Sequence, residues 1–276
     1  MKYLTLPLLF VAILLVSCNK ETPIENLDKP QIKNKCRVIS VTAFNDLDKK
    51  GVTATISYDD LQNLTGIAST QDSSFTSFSV VYATNLITLK TKYYGDWTYV
   101  LDDKKRIIRA NTFRGYYKYQ FTYNSAGFLD EVILDEDSNI QTKYTLFYKD
   151  GNISKITGVT PYYNSNSITE FTYDNNPATT LPGGTDPIKY MQIREVLPGF
   201  FGNVSKNQVV KVNEVTNNTL TKEIYTNVYS FVYLRDSEQK IINFTENILQ
   251  KYHNINYPEY IAYQQNGYYT LKYACD

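Results

Sequence analysis

The sequence predicts an all-β protein, an antiparallel meander of hairpins rolled into a barrel-like or half-barrel sheet. Three observations lead to this prediction. Apolar and polar residues alternate with a period of two, most clearly over residues 116–134. A short motif that ends in tyrosine returns along the chain, each time followed by a polar turn. No segment keeps the 3.6-residue period of an amphipathic helix, and the aromatic and β-branched residues favour strands.

The recurring motif is an apolar residue, any residue, and then a tyrosine. The copies are Ile56-x-Tyr58, Val80-x-Tyr82, Trp97-x-Tyr99, Phe121-x-Tyr123, Leu146-x-Tyr148, Phe171-x-Tyr173 and Phe231-x-Tyr233. Most of the intervals between these tyrosines are 24 or 25 residues. Each copy is predicted to be one hairpin, and a meander of seven hairpins must curl, split into layers or close to bury its aromatic face.

Turn chemistry supports the hairpins. Residues 124–127 read Asn-Ser-Ala-Gly, and Asp150-Gly151 is typical of a type I′ turn. Two copies lack the turn glycine and carry Lys105 or Gln239 near that place, which leaves their register open. The longest interval between motif tyrosines predicts an insertion at about residues 175–225, including a loop rich in glycine and proline at residues 175–187.

The length and the charge balance of the chain limit the class of protein that it can be. The chain has 276 residues, long enough for a sizeable core, and its 28 basic and 28 acidic residues balance. A near-neutral surface without long runs of like charge gives no electrostatic basis for binding nucleic acid.

The amino terminus predicts an anchor. An apolar run at residues 6–16 is too short for a span of about 20 residues, and with Lys2 before it and Ser17 after it, it resembles a secretory signal. Residues 15–18 (Leu-Val-Ser-Cys) resemble a bacterial lipobox, so we expect residues 1–17 to be removed and Cys18 to be lipidated; an ordinary signal peptide is the alternative. Residues 18–33 then form a polar tether, and residues 34–276 form a single β domain.

The remaining cysteines, Cys36 and Cys275, lie near the two ends of that domain. An exported chain meets an oxidising compartment, which favours a disulfide between them. Such a bond would place the first and last strands side by side, as in a sheet that closes. The alternative is a pair of unbonded, buried thiols.

Catalytic and metal-binding patterns are weak. A lone histidine, His253, supplies neither a multi-histidine metal site nor a recognisable triad. Asp135, Asp137 and Asn139 have the first spacing of a calcium loop but lack its later glycine and glutamate. No nucleotide-binding motif occurs. We therefore expect no enzyme, cofactor or metal, although two carboxylates brought together in space would suit a glycosidase.

Tyrosine is the feature that suggests a ligand. The chain has 26 tyrosines, and the motif tyrosines face the core by alternation. Aromatic residues that do not follow the alternation of the motif tyrosines, together with Trp97 nearby, are candidates for an exposed platform that binds sugar rings or protein. These candidates are Tyr94, Trp97, Tyr116, Tyr162, Tyr163 and Tyr268.

The order of these motifs resembles a family of Bacteroides-type lipoproteins of unknown function with a porin-like fold. The matching parts are the lipobox ending at Cys18, the strand-turn units at residues 121–129 and 146–156, residues 171–177 and 205–207, and the last motif copy at residues 231–233. The hairpins also resemble the YD-type repeats of bacterial surface proteins. The resemblance implies a rolled or barrel-like sheet and no known activity.

These expectations leave three functions. The first is a non-catalytic outer-membrane lipoprotein, facing the periplasm or the cell surface, that binds a glycan or a protein. The second is an envelope carrier that holds an apolar or amphipathic ligand inside the rolled sheet. The third is a hydrolase with paired carboxylates. In each case we expect a water-soluble domain on a lipid anchor, since a true membrane barrel would make the anchor redundant.

Overall fold

The computed structural model describes residues 36–45, 51–60, 63–70, 77–91, 95–136, 140–179, 186–193, 197, 199–203, 205–254 and 256–275. Cys36–Ala274 form one compact unit. The expected signal peptide and tether, Cys18, Tyr94 and most of the calcium-like segment lie outside the described residues. No helix of membrane-spanning length and hydrophobicity occurs in the described part of the chain.

Sixteen strands are described. They are β1 (Cys36–Asn45), β2 (Val52–Tyr58), β3 (Leu64–Ser69), β4 (Phe78–Ala83), β5 (Leu86–Thr91), β6 (Trp97–Leu101), β7 (Ile107–Thr112), β8 (Tyr117–Tyr123), β9 (Leu129–Glu136), β10 (Ile140–Lys149), β11 (Asn152–Thr160), β12 (Ser165–Pro177), β13 (Asn207–Asn218), β14 (Glu223–Arg235), β15 (Ile241–Asn254) and β16 (Tyr257–Cys275). Short 3-10 helices occupy Phe113–Gly115, Pro161–Tyr163 and Pro187–Met191.

The strands form a closed barrel in which each strand pairs with its neighbours in sequence and β1 pairs with β16. The prediction of an all-β antiparallel meander is confirmed, and the choice left open between an open sheet and a barrel is decided in favour of closure. In such a meander all turns that follow even-numbered strands lie at one end. We call this the lower end and the opposite one the upper end.

Alternation in β8 shows which face is buried. Tyr119 and Phe121 point into the barrel and are buried, whereas Lys118, Gln120 and Thr122 between them are exposed. The same pattern holds in β10, where Tyr144 and Leu146 are buried. The lumen is therefore the hydrophobic core of the molecule.

Seven tyrosines near the lower ends of even-numbered strands share one hydrogen bond. In each, the hydroxyl donates to a backbone carbonyl of the preceding strand. The bonds are Tyr58 to Val38 (2.9 Å), Tyr82 to Leu64 (2.9 Å), Tyr123 to Ile107 (2.7 Å), Tyr148 to Leu129 (2.8 Å), Tyr173 to Ile153 (2.6 Å), Tyr233 to Val209 (2.7 Å) and Tyr273 to Ile241 (2.8 Å). Six of the seven were selected by their sequence motif, and Tyr273 extends the set.

The turns after the motif tyrosines show how two copies form a turn without glycine. Gly127 has φ 83°, and Lys105 and Gln239 adopt the same left-handed region, with φ 60° and 66°. In the two copies without glycine an aspartate stabilises the turn. The Asp102 carboxylate accepts hydrogen bonds from two backbone N–H groups of its turn, at 2.9 and 2.8 Å. Asp236 does the same in the Gln239 turn, and Asn124 does so in the Gly127 turn, so these side-chain hydrogen bonds stabilise the turns with and without glycine.

The insertion is shorter than the range of about 175–225 expected from sequence. Residues 165–177 and 207–218 belong to β12 and β13, which pair directly, from Ser165 opposite Asn218 to Pro177 opposite Asn207. The segment between the strands is thus residues 178–206, which we call the plug.

The two cysteines of the barrel lie at its first and last strands. Cys36 is the first residue of β1 and Cys275 is the last residue of β16, and both are disulfide-bonded.

Candidate functional site

The plug is fastened to the lower end of the barrel by backbone hydrogen bonds. Asn203 N–H donates to Gly127 O at 3.0 Å, and Lys206 N–H donates to Gly151 O at 3.2 Å. Ile107 N–H, at the start of β7, donates to Phe200 O at 2.7 Å. These contacts reach the turns after β8 and β10, so the plug closes the lumen from the lower end.

The apolar side chains of the plug complete the core. Ile188, Met191, Ile193, Leu197 and Phe201 are all at most 4% exposed. The ring of Phe201 meets the ring of Phe121 edge-on at 5.5 Å. A barrel of sixteen strands is wide enough to leave an aqueous channel, and here the plug takes up that space.

A cavity of about 530 Å³ remains in the lumen above the plug. Its wall comes from β6, β7, β8 and β14, and its floor comes from the plug. Thr112 and Tyr117, beside the upper β7–β8 turn, show that it extends towards the upper end. Its aromatic lining consists of Trp97, Tyr99, Tyr117, Tyr119, Phe121, Tyr190 and Tyr229. The volume falls in the range of small-molecule sites, about 300–1,000 Å³.

The floor is held in place by the wall. The Tyr119 hydroxyl donates to the backbone carbonyl of Gln192 at 3.0 Å. The ring of Tyr190 packs edge-on against Phe171 of β12 at 5.6 Å and against Tyr229 of β14 at 5.3 Å. Because plug and wall contact each other on several sides, the shape of the cavity depends on the plug.

A lysine and a glutamate bring charge to this region. Lys189 Nζ lies 3.8 Å from Glu246 Oε1, and the other oxygen of Glu246 accepts a hydrogen bond from the Tyr269 hydroxyl at 2.9 Å. Burial lowers the pKa of Lys189, and the nearby carboxylate of Glu246 opposes that shift. The ammonium also lies near the rings of Tyr190 and Phe231, at 5.2 and 5.7 Å. The positive charge is thus already matched within the protein.

A second carboxyl group lies on β13. Burial raises the pKa of Glu214, and a hydrogen bond from the Asn227 side-chain amide, 2.9 Å long, opposes the shift. Asn227 in turn accepts from the Gln250 amide at 3.0 Å. The lumen therefore contains a polar network on its β13–β15 side as well as aromatic rings.

Two polar atoms on cavity-lining residues have no hydrogen-bond partner among the described residues. They are the indole Nε1 of Trp97 and the hydroxyl of Tyr190, and both atoms are buried. Native proteins seldom leave such groups unpaired, because removing a donor from water without a new partner costs about 1–3 kcal/mol.

Trp97 is not part of an exposed platform. It is 2% exposed, because it occupies an inward position of β6, where burial alternates along the strand. The expectation of surface exposure is corrected for this residue, and the structure moves it to the cavity wall.

The other described candidates lie on the surface. Tyr116, Tyr162, Tyr163 and Tyr268 are exposed. Tyr116 and the pair Tyr162–Tyr163 lie in the upper turns after β7 and β11, whereas Tyr268 lies within β16. The structure therefore does not place Tyr268 in the same turns as the other three.

Sequence reasoning missed most of the cavity. Lys189 and Tyr190 lie in a segment without periodicity, so no signal marked them. Tyr119 and Phe121 carried a clear signal, but alternation assigned them to packing. His253 is exposed on β15. In the described ranges no group of three or more histidine, cysteine, aspartate or glutamate side chains is arranged to hold a metal ion.

Comparison with known proteins supports the fold. The crystal structure of a porin-like protein from Bacteroides uniformis matches with a TM-score of 0.56 at 16% identity, over 85% of this chain and 96% of that chain. A likeness at this identity shows the fold alone, and it agrees with the closed all-β barrel. No protein-family model and no curated protein matches the chain. Membership of a lipoprotein family stays a prediction.

Proposed function

We propose that this protein is a non-catalytic binding protein of the cell envelope that holds a small organic molecule in the lumen of its barrel. The observation that carries the proposal is the cavity of about 530 Å³, which has walls from the strands, a floor from the plug and a lining that includes seven aromatic residues. Its volume and mixed lining are typical of ligand sites. This is the carrier alternative of the sequence analysis, with a more polar lining than an apolar ligand requires.

The polarity of β8 supports a carrier rather than a pore. Barrels that span a membrane present an apolar band outwards and a polar interior. β8 has the opposite arrangement, since its outward residues Lys118, Gln120 and Thr122 are exposed and polar while Tyr119 and Phe121 fill the interior. We therefore propose that the barrel stands in water and is tethered through a lipid on Cys18.

A second candidate rests on β16. Tyr257, Tyr260, Ile261, Tyr263 and Tyr268 are exposed along this strand. Exposed aromatic side chains on one strand suit contact with a glycan or a protein. We rank this surface second, because the register puts Tyr268 on the opposite face of β16 from Tyr257, Tyr260 and Tyr263, and the exposed rings lack the walls and floor that the cavity offers.

The test is native mass spectrometry of the protein isolated from the cells that produce it. We expect a mass excess corresponding to one bound small molecule. Ala110 is buried and lines the cavity, so a larger side chain at this position should occupy the space of the ligand. Ala110→Phe should therefore abolish the mass excess while the circular dichroism of the barrel is retained. Ala126→Phe, in an exposed turn, is the matched control and should keep the ligand. Absence of any mass excess from the wild-type protein, together with no thermal shift in a compound library, would contradict the proposal.

Location is tested separately. Protease treatment of intact cells, with a periplasmic protein as control, should digest the barrel if it faces the exterior and spare it if it faces the periplasm. Exposure to the medium would raise the rank of the β16 surface, whereas protection would favour a carrier inside the envelope.

A further inference from the structure

The chemistry of the cavity lining narrows the class of ligand. Of twelve lining residues seven are aromatic, five of these are tyrosines, and only Ala110 and Ile193 are aliphatic. A site for an alkyl chain is expected to have mainly aliphatic walls. Rings with polar tips instead offer flat faces for a ring-shaped ligand and hydrogen-bonding groups at its edge.

Two groups in the site need partners. The Trp97 indole can only donate a hydrogen bond, and the Tyr190 hydroxyl can donate or accept. Both atoms are buried without a partner among the described residues, and both side chains belong to the cavity lining. Neither atom has appreciable solvent-accessible surface, so a ligand oxygen reaches it only when the side chain turns towards the cavity, and that contact would remove the desolvation cost that the free protein bears.

The charges indicate a neutral ligand. Lys189 Nζ faces Glu246 Oε1 at 3.8 Å and lies near the rings of Tyr190 and Phe231. An anionic ligand would have to compete with Glu246 for the ammonium. A cationic ligand would meet the same ammonium at the cavity floor. Neither sign of charge is favoured, whereas neutral oxygen atoms suit the two unpaired groups.

We propose that the cavity binds a neutral sugar of one or two rings, which stacks on the aromatic wall and accepts hydrogen bonds from Trp97 Nε1 and the Tyr190 hydroxyl. This inference rests on the proposed binding function and adds the ligand class to it. The cavity of about 530 Å³ has room for a molecule of this size.

The chain provides its own reporter, because Trp97 is the only tryptophan in the sequence. We would titrate the protein with glucose, galactose, maltose and lactose, and in parallel with palmitate and choline, and follow tryptophan fluorescence. At least one sugar should give a saturable change in tryptophan fluorescence, whereas palmitate and choline should leave the fluorescence unchanged. A saturable response to palmitate or choline, with every sugar silent, would overturn the sugar while leaving the binding function intact. Silence of all six probes, together with no mass excess in the isolated protein, would overturn both.

Tyr190→Phe separates a ligand contact from a structural role. The variant keeps the ring and removes only the unpaired hydroxyl, so the melting temperature of the free protein should stay the same or rise, while affinity for the sugar falls about tenfold. The matched variant Tyr119→Phe removes a hydroxyl that is bonded to Gln192 O, and it should lower the melting temperature. Trp97→Phe, measured by calorimetry, should weaken sugar binding as Tyr190→Phe does. Unchanged sugar affinity in both Tyr190→Phe and Trp97→Phe would overturn the assigned contacts.

Discussion

Single hydroxyl groups link the strands of this barrel at its lower end. Each of the seven tyrosine hydroxyls donates to a carbonyl near the start of the preceding strand, as Tyr148 does to Leu129 at 2.8 Å. The tyrosine ring lies in the core while its hydroxyl donates a hydrogen bond to a backbone oxygen there. The hydroxyl explains why tyrosine, rather than phenylalanine, occupies these positions, because phenylalanine would leave the carbonyl without this donor.

Tyr148→Phe tests this role. We expect the free energy of unfolding to fall by about 1–2 kcal/mol, because the Leu129 carbonyl loses its donor within the structure. Chemical denaturation followed by circular dichroism measures the change. Tyr162→Phe is the control, since Tyr162 is 62% exposed, and its effect should stay within about 0.5 kcal/mol. Equal stabilities of the two variants would contradict a structural role for the hydroxyl.

Sequence analysis located these residues but not their bonds. Spacing selected Tyr58, Tyr82, Tyr123, Tyr148, Tyr173 and Tyr233, because a period-two strand followed by a polar turn is a local pattern. The acceptor of Tyr148 lies 19 residues earlier in the chain. Its carbonyl becomes available only once two strands have paired. Such a bond depends on register, which local sequence does not specify on its own.

The plug is the element that closes the lower end of the barrel and forms the floor of the cavity. It meets the β8–β9 turn at Gly202, where an added Cβ would lie 2.5 Å from Gly127 O and 2.9 Å from Tyr123 Cε1. Only a hydrogen atom fits in that space. The close approach keeps the plug against the lower end, and through Lys189 and Tyr190 it positions the floor of the cavity.

Gly202→Ala tests this contact, with Gly199→Ala as a matched control. Both glycines have positive φ, 70° and 83°, so each substitution costs about 1–2 kcal/mol in backbone strain. Nothing lies within 4 Å of a Cβ at Gly199. The clash at Gly202 should add about 1–3 kcal/mol of destabilisation. Thermal unfolding measures both variants, and a Gly202→Ala variant no less stable than Gly199→Ala would contradict tight docking of the plug.

The position of the plug was not predictable from sequence. Ile188, Met191, Leu197 and Phe201 follow neither a period of two nor a period of 3.6, and the glycines and prolines nearby indicate a surface loop. The space that they fill exists only after sixteen strands have closed around it. The expectation for Trp97 was wrong for a different reason, because Tyr99, two residues later in the same motif copy, was assigned to the core, and alternation puts Trp97 on that same face.

The whole barrel carries many buried phenols. Burial raises the pKa of Tyr82, Tyr229 and Tyr273 from 10.0 to about 12, and burial raises the pKa of Tyr123, Tyr148 and Tyr173 as well. Below pH 10 these groups are neutral in the folded and the unfolded chain, so their full contribution to stability is present. As pH rises from 10 towards the folded-state values, the unfolded chain ionises first and stability is lost.

We therefore expect the free energy of unfolding to be similar from about pH 7 to pH 9 and to fall steeply above about pH 10. Denaturant titrations at several pH values measure it, and the ultraviolet absorbance of tyrosinate should rise together with unfolding. Constant stability up to about pH 11 would contradict the burial of these phenols.

The order of strands around the barrel also has a consequence for how the chain folds. Every pairing except that of β1 with β16 joins strands that are consecutive in sequence. Apart from β12 and β13, which the plug separates, hairpins between neighbours require only short loops and form early. The β1–β16 pairing must instead bring together segments separated by almost the whole domain, at a much larger entropic cost. Closure of the ring is therefore expected to be the late, slow event in folding. Until it occurs, β1 and β16 are open edges on which a nascent chain is most exposed to aggregation.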